Sequence, residues 1–199
     1  PDGVVHIDDP VADNLARLAE AKNVPVDDLV VCILDRPRHE ELIRDVRAAG
    51  ARIRLIRDGD VAGVIATARS GSGVDVYMGS GGAPEGVLAA AALRCIGGQI
   101  QGRLLFRNDE EKERAHRLGI NDLDQAYTTE DMAKGDVMFA ATGVTDGTML
   151  KGVTRVADTL HTHSIVMRSK SGTVRTIEAE HHVVRKDAAV PHFELHPIR

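Results

Sequence analysis

Short apolar segments alternate with amphipathic helical segments over the first half of the chain. Residues 29–34 form a continuous apolar run, which is typical of a strand buried on both faces. Two further strands are predicted at Arg52–Ile56 and at residues 74–78. Strands that alternate with helices through short loops form parallel sheets with right-handed crossovers. The pattern therefore predicts a layered α/β fold with a mainly parallel sheet, most of it between Leu29 and Phe106.

The helical spacing of apolar positions predicts the helices that connect these strands. They are expected at residues 6–23, 39–49, 61–68, 84–96 and 109–118, with Asp8 and Asp9 as the cap of the first. The second half is less regular, and predicts strands at residues 99–106 and 136–142 and a hairpin of Thr159–Arg168 with residues 173–179. We expect a helical segment at residues 1–27, one α/β domain at 28–185 and a loose tail at 186–199.

Composition narrows the class of protein. Of 199 residues, 43% are hydrophobic and 28% charged, which is ordinary for a domain with a core and excludes a disordered chain. The 25 basic and 30 acidic residues argue against a nucleic-acid partner, and the 3% aromatic content argues against stacking platforms. No apolar run approaches the length of a membrane span, so the sequence predicts a cytoplasmic protein with no membrane partner.

The two cysteines lie inside apolar stretches. Cys32 falls in LVVCIL and Cys95 in AALRCIG. We expect both to be buried small side chains in a reducing compartment, because nothing in their spacing indicates a disulfide or a metal clip.

A glycine-rich segment follows the third predicted strand. Residues 79–86, GSGGAPEG, end the strand and begin a helix, and backbone N–H groups at such a turn can approach a phosphate. Glu85 lies in the first helical turn, where a carboxylate could hold a metal ion beside that phosphate. The alternative is structural: the glycines make a tight turn, and Glu85 complements the positive end of the helix dipole.

A basic turn follows the first predicted strand. Arg36 and Arg38 flank Pro37, and guanidinium groups bind phosphate through two parallel hydrogen bonds. The alternative is a solvated turn that carries unpaired surface arginines. Because ligands bind at the carboxyl ends of the strands in open α/β sheets, this turn and the glycine-rich segment are expected at the same edge.

An acidic turn follows the second strand. Asp58 and Asp60 flank Gly59, and their carboxylates could accept hydrogen bonds from sugar hydroxyls, or one of them could cap the following helix. A cationic, an acidic and a glycine-rich turn at one edge together predict a site for a phosphorylated polyol.

The remaining polar clusters are less informative. His161 and His163 lie on one face of a predicted strand, and His181 and His182 follow on its hairpin partner. A zinc site would need a third ligand at a suitable spacing, so a structural or solvent-exposed role is favoured. Residues 142–147, TGVTDG, could line a pocket or form a glycine-rich turn at a strand end, and both alternatives stay open.

Three ordered segments resemble one protein family. They are DRPRHEELIRDVRAAGARIRLIRDGDV from Asp35, VDVYMGSGGAPEGVLAAAALRCIGGQIQGRL from Val74 and ATGVTDG from Ala141. Together they resemble the C-terminal part of class II fructose-1,6-bisphosphatases, in particular the actinobacterial, mycobacterial type. The resemblance covers about residues 25–185 and implies an α-β-α sandwich related to the inositol monophosphatase-like sugar phosphatases. It also implies metal-dependent hydrolysis of the 1-phosphate of fructose 1,6-bisphosphate in gluconeogenesis.

The resemblance also implies roles for particular residues. Glu85 matches a metal-ligating glutamate, with Mg²⁺ or Mn²⁺ as the implied cofactor. The implied substrate contacts are Arg36, Pro37 and Arg38 at a phosphate, Asp58, Gly59 and Asp60 at the sugar, and the backbone of Gly82. The small-molecule partner would be a sugar bisphosphate, and a homo-oligomer is expected.

The family's other metal carboxylates and its water-activating threonine lie in an N-terminal half that this sequence does not contain. We therefore expect no catalytic residue here beyond the metal ligand, an inactive isolated chain, and a missing N-terminal half or second chain that completes the site. The alternative from another class is a sugar-phosphate sensor without catalysis, which would need no metal carboxylates. A nucleotide-binding domain is disfavoured, since the glycine-rich segment is neither a Walker A nor a complete dinucleotide-binding motif.

Overall fold

The computed structural model describes residues 3–183, and these form a layered mixture of helices and strands. The helices are α1 (Val11–Lys22), α2 (Glu40–Ala48), α3 (Asp60–Ala66), α4 (Ala83–Ile96), α5 (Asp109–Arg117) and α6 (Thr129–Met132). The strands are β1 (Val30–Leu34), β2 (Arg52–Ile56), β3 (Val76–Tyr77), β4 (Gln101–Gly102), β5 (Tyr127–Thr128), β6 (Met138–Thr142), β7 (Thr154–Val156), β8 (Thr159–Arg168) and β9 (Thr173–His182). The mixed α/β class predicted from the sequence is confirmed.

The first sheet is parallel, with strand order β2-β1-β3. β1 lies in the centre and pairs with all five residues of β2, whereas β3 contributes only Val76 and Tyr77. The strand predicted at residues 74–78 is therefore shorter than expected. Its preceding residue Asp75 is held at the sheet edge, because its side chain accepts a hydrogen bond from Val30 N at 2.8 Å and pairs with Lys22 at 2.7 Å.

Helices cover both faces of the parallel sheet. On one face, Leu15 of α1 and Val46 of α2 pack against Val31 and Ile33 of β1 in a fully buried cluster. Successive side chains of a strand point to opposite faces, so Cys32 points away from this cluster. There α3 approaches closely: a Cβ at Gly63 would lie 3.3 Å from Cys32 Sγ. Glycine at this position therefore allows α3 to pack against the central strand.

A second sheet lies beyond α3 and α4. Strands β6, β7, β8 and β9 form a four-stranded antiparallel sheet, in which β8 pairs with the other three. Its inward-facing residues Phe139, Ile165 and Met167 pack against Ile65 of α3 and Ala92 of α4. The layers run α1/α2, parallel sheet, α3/α4, antiparallel sheet. The predicted parallel sheet is present, but it is not the larger sheet, because the predicted hairpin joins β6 and β7 in the four-stranded antiparallel sheet.

Two local predictions are also wrong. The first helix begins at Val11 and not at residue 6, and Pro10 is its N-cap residue with no side-chain cap. Asp8 and Asp9 are therefore not caps: Asp8 pairs with Arg103 and Asp9 with Arg17. The arginine beside Asp8 holds the pKa of that carboxyl below its usual value.

The strand predicted at residues 99–106 is shorter in the structure, where only Gln101–Gly102 pairs with the short strand Tyr127–Thr128.

Within residues 3–183, no helix has the length and apolar character needed to cross a lipid bilayer. Both cysteines are buried and free, as expected, and burial raises the pKa of each thiol. The tail predicted at residues 186–199 lies outside the described residues.

Candidate functional site

Three loops meet at the carboxyl edge of the parallel sheet. The basic loop, residues 35–39, follows β1; the acidic loop, residues 57–60, follows β2; and the glycine loop, residues 79–82, follows β3. Because β1 is the central strand, the basic loop lies between the other two. The sheet order therefore brings the three turns together at one edge, as the sequence predicts.

Arg36 connects the basic loop to the acidic loop. Its Nη2 donates a hydrogen bond to the carbonyl oxygen of Arg57 at 2.6 Å, and its Nη1 donates to the carbonyl of Asp35 at 2.9 Å. The side chain is exposed, so these bonds are made at the rim of the site. Arg36 is therefore not an unpaired surface arginine, which was the alternative that the sequence left open. Neither of these two hydrogen bonds uses its Nε.

Arg38 connects the basic loop to the glycine loop. Its Nε and Nη2 donate to the carbonyl oxygen of Ser80 at 3.1 and 2.8 Å, and Nε also lies 3.2 Å from Ser80 Oγ. Arg38 is exposed like Arg36. Both arginines therefore hold neighbouring loops together, and each reaches the site edge with a guanidinium group.

His39 is buried directly beneath the glycine loop, with 2% of its surface exposed. Its Nδ1 lies 2.8 Å from the carbonyl oxygen of Leu34, and Ser80 N donates to its Nε2 at 2.8 Å. The ring lies against Gly79, where a Cβ would be 3.2 Å from two ring atoms, and Gly79 has a φ of +151°. Glycine at 79 is thus required both by the close ring and by the backbone conformation.

The acidic loop approaches the glycine loop from the other side. Gly59 has a φ of +74° and precedes Asp60, the first residue of α3. Asp60 Oδ1 accepts from Val61 N at 3.0 Å, and its Oδ2 lies 3.0 Å from the position of a Cβ at Gly81. Asp60 therefore faces the glycine loop, whereas Asp58 is exposed to solvent.

Tyr77, the last residue of β3, lies behind these loops. It is partly buried and packs against α3, since a Cβ at Gly63 would lie 3.3 Å from its ring. Burial raises the pKa of Tyr77 to about 12, and the negative charge of Asp60 adds to the shift while Arg38 opposes it. The phenol is therefore a neutral hydrogen-bonding group beside the site through the physiological pH range.

Glu85 lies at the start of α4, next to Gly82. Gly82 is the N-cap residue of α4 with φ −72°, and a Cβ added there would collide with Glu85 Oε2. The carboxylate thus folds back over the helix N-terminus, into space that glycine leaves open. Within residues 3–183, no group of three or more His, Cys, Asp and Glu side chains is arranged to hold a metal ion. Glu85 could contribute one ligand, and the described residues do not complete a metal site around it.

The remaining sequence candidates lie elsewhere. On the antiparallel sheet, His161 pairs with Glu180 at 3.9 Å, and His163 Nδ1 accepts a hydrogen bond from Lys151 N at 3.1 Å. His182 Nδ1 lies 3.2 Å from Thr159 Oγ1, and His181 Nε2 lies 3.0 Å from Thr162 Oγ1. These contacts agree with the structural role favoured by the sequence.

The turn at residues 142–147 is packed against the chain that follows it. A Cβ at Gly143 would collide with the carbonyl of Lys151, and Gly152 N donates to Asp146 Oδ1 at 2.8 Å. In the structure this segment is a glycine-rich turn at the end of β6, which is one of the two alternatives that the sequence left open. A separate open cavity of about 270 Å³, lined partly by Arg54, Arg69 and Met149, includes no residue of the three loops.

Comparisons of the sequence with known proteins match this chain to a family. The family model described as "Bacterial fructose-1,6-bisphosphatase, glpX-encoded" matches residues 1–181. The chain belongs to this family. A relative from Synechocystis sp., named D-fructose 1,6-bisphosphatase class 2/sedoheptulose 1,7-bisphosphatase, is 43% identical over 192 residues, which cover 90% of this chain and 56% of the relative. A relative of the same name from Synechococcus sp. is 41% identical over 192 residues, covering 90% of this chain and 55% of the relative.

The chain spans about half the length of the curated relatives it matches. The family resemblance stated from the three sequence segments is confirmed by these matches, and both relatives are named as sugar bisphosphatases.

Sequence reasoning did not single out three residues that the structure places in the site. The sequence pattern predicts His39 only as the first residue of a helix, although it follows the basic turn directly. Ser80 is only one member of the glycine-rich segment in the sequence, and Tyr77 is an ordinary residue of the third predicted strand.

Proposed function

We propose that this chain forms the substrate-binding half of a fructose-1,6-bisphosphatase and that the complete protein hydrolyses the 1-phosphate to give fructose 6-phosphate and phosphate. The observation that carries the proposal is the meeting of the basic, acidic and glycine loops at one sheet edge in a chain of this family. A sugar bisphosphate needs cationic groups for phosphate and acceptors for hydroxyls, and these loops supply both.

In this proposal, the basic loop binds a phosphate. Arg36 and Arg38 are exposed, and each retains an N–H beyond those bonded to Arg57 and Ser80. Pro37 fixes the backbone between them, so the two guanidinium groups leave the loop in set directions. Charge-assisted hydrogen bonds from arginine to phosphate are stronger than neutral ones, which favours this loop as the main source of affinity.

The acidic and glycine loops bind the sugar. Asp58 and Asp60 are hydrogen-bond acceptors for hydroxyl groups, and Gly59 lets the chain turn between them with a positive φ. Gly82 offers its backbone at the N-terminus of α4, beside the Glu85 carboxylate. Since both relatives are also named for sedoheptulose 1,7-bisphosphate, we propose that this second ketose bisphosphate binds in the same way.

Glu85 is proposed to ligate Mg²⁺ or Mn²⁺. A hard divalent cation takes carboxylate oxygens, and when bound it would polarise the phosphoryl group. The described residues supply this one carboxylate only, so further ligands and the group that activates water are proposed to come from outside this chain, in the length that its relatives have in addition. We also propose a homo-oligomeric, cytoplasmic enzyme whose fold is related to the inositol monophosphatase-like phosphatases, as its stacked layers suggest.

The test is phosphate release by a protein that spans the full length of its relatives. We expect release of one phosphate per fructose 1,6-bisphosphate, with the 6-phosphate retained, and loss of turnover in chelator. Sedoheptulose 1,7-bisphosphate is the second substrate to assay, and a monophosphate such as fructose 6-phosphate is the control. No release from either bisphosphate, with Mg²⁺ and with Mn²⁺, would refute the proposed activity.

A sugar-phosphate sensor is the second candidate. The observation in its favour is that no group of three metal-binding side chains occurs within residues 3–183. A sensor would bind the bisphosphate in the full-length protein without releasing phosphate, and chelator would leave its affinity unchanged. Calorimetry beside the release assay therefore distinguishes the two functions.

A further inference from the structure

We propose that His39 is a positioning residue that fixes the glycine loop through a single, neutral tautomer of its ring. The inference rests on the proposed function for the role of that loop in substrate binding, whereas the contacts that carry it belong to the fold. His39 connects the end of the central strand β1 to Ser80 and is buried, unlike the arginines that share this loop.

The partners of the ring determine where its proton lies. The carbonyl oxygen of Leu34, 2.8 Å from Nδ1, can only accept a hydrogen bond, so Nδ1 must carry a proton. The backbone N–H of Ser80, 2.8 Å from Nε2, can only donate, so Nε2 must carry none, and the Ser80 hydroxyl, 3.2 Å from Nε2, can then donate to it as well. A neutral ring with its proton on Nδ1 satisfies both partners, and a second proton on Nε2 would oppose the Ser80 N–H.

The same ring limits the path of the glycine loop. Gly79 lies against it, where a Cβ would be 3.2 Å from two ring atoms, and the Ser80 N–H donates to its Nε2. From Ser80 the chain runs through Gly81 to Gly82 and the first turn of α4. The position of the proposed substrate contact at Gly82 is therefore set two residues earlier, by a bond to the centre of the sheet.

Arg38 and His39 hold Ser80 in different ways. Arg38 bonds the Ser80 carbonyl from the exposed side, with the same guanidinium group that is proposed to bind a phosphate. His39 is enclosed and its two ring nitrogens are both occupied. His39 therefore supports the loop from the buried side, through contacts that a bound substrate does not reach.

Two variants of His39 test its hydrogen bonds to Leu34 and Ser80 separately. Asparagine can replace the Nδ1–H that bonds Leu34 but is too short to reach Ser80, whereas glutamine can bring a carbonyl oxygen to the position of Nε2. His116→Asn is the matched control, because His116 is an exposed histidine whose Nδ1 lies 2.9 Å from a carbonyl, that of Ile120, outside the three loops.

The first measurement is ¹⁵N NMR of the histidine side chains in this chain, with the His39 signals identified by their loss in His39→Asn. We expect a neutral ring protonated on Nδ1 at pH 7, and faster exchange of the Ser80 amide proton in His39→Asn than in wild type or His39→Gln. A ring protonated on Nε2, or equal exchange in all three proteins, would overturn the proposal. These outcomes do not depend on enzyme activity.

The second measurement is the kinetics of the full-length protein with fructose 1,6-bisphosphate. Loss of one buried hydrogen bond corresponds to about a tenfold change, so His39→Asn is expected to raise KM about tenfold while kcat changes less. His39→Gln is expected to recover most of this loss, and His116→Asn to match wild type. A KM that is unchanged in His39→Asn would overturn the positioning role. If wild type releases no phosphate, the proposed function fails, and the NMR result alone decides the role of His39.

Discussion

Replacing Gly82 by alanine would move the Glu85 carboxylate without removing it. A Cβ at residue 82 would lie 3.0 Å from Glu85 Cδ and 3.5 Å from Oε1, and it would collide with Oε2. Gly82 has a φ of −72°, which alanine adopts freely, so the backbone has no reason to shift. The flexible carboxylate must therefore rotate away from the N-terminus of α4.

The cost in stability is expected to be small. Alanine is a poorer N-cap residue than glycine, and displacing Glu85 loses a favourable contact with the helix dipole, which is worth about 0.3–1 kcal/mol. Together these effects lower the free energy of unfolding by about 1–2 kcal/mol. A metal ligand moved out of place has a larger consequence, since losing it is expected to weaken metal binding tenfold or more, in the range of about 10–100-fold known for supporting groups around metal sites.

The assay is activity against Mn²⁺ concentration in the full-length protein, beside melting curves in chelator. Gly82→Ala and Glu85→Gln are both expected to shift the activation curve to higher Mn²⁺ and to lower kcat. Gly86→Ala is the control on the same helix, because a Cβ there meets no atom within 4 Å. Activation curves of Gly82→Ala and Glu85→Gln that superimpose on wild type would refute the metal role of Glu85 and leave it as a helix-dipole partner.

Three further results are expected. Arg38→Ala should raise KM for fructose 1,6-bisphosphate at least tenfold in the full-length protein, and Arg38→Lys less, because each charge-assisted hydrogen bond contributes about 1.5–3 kcal/mol; an unchanged KM in the alanine variant would end the phosphate assignment. The raised pKa of Tyr77, to about 12, means that the unfolded chain releases this proton from about pH 10 while the folded chain retains it. Folding stability should therefore fall between these pH values in wild type and in Tyr127→Phe but less in Tyr77→Phe, as followed by urea denaturation; equal losses in all three would contradict it. Finally, the 199-residue chain alone should bind a sugar bisphosphate weakly and release no phosphate, and turnover near a typical enzyme rate of about 10 s⁻¹ would mean that the catalytic carboxylates are in this chain.

The parallel part of the fold could be predicted because its signals are local. The run at residues 29–34 is apolar on both faces, and Gly50 and Gly97 lie just after helices α2 and α4. The antiparallel sheet was harder to predict, since β7 is three residues long and exposed and gains its register only from β8. Its packing on α4 depends on Phe139 and Met167, which meet that helix across long sequence separations.

The three loops of the candidate site could be predicted from the sequence, but the hydrogen bonds between them could not. Residue types indicated phosphate and sugar binding at Arg36, Arg38 and Asp60, and the sheet order brings their loops together. Whether one of these side chains bonds to another loop depends on distances in the folded protein, which the pattern of residue types does not contain. The bonds of Arg38 and His39 to Ser80 join residues about 40 positions apart, and they exist because β3 lies beside β1.

The most direct test of the account is to titrate the ¹⁵N-labelled chain with fructose 1,6-bisphosphate and follow every backbone amide. If the carboxyl edge of the parallel sheet is the substrate site, the largest shifts will fall on residues 35–39, 57–60 and 79–85, and fructose 6-phosphate will cause smaller shifts of the same amides. Shifts confined to the cavity beside Arg54 and Arg69, or to the histidines of the antiparallel sheet, would contradict the account.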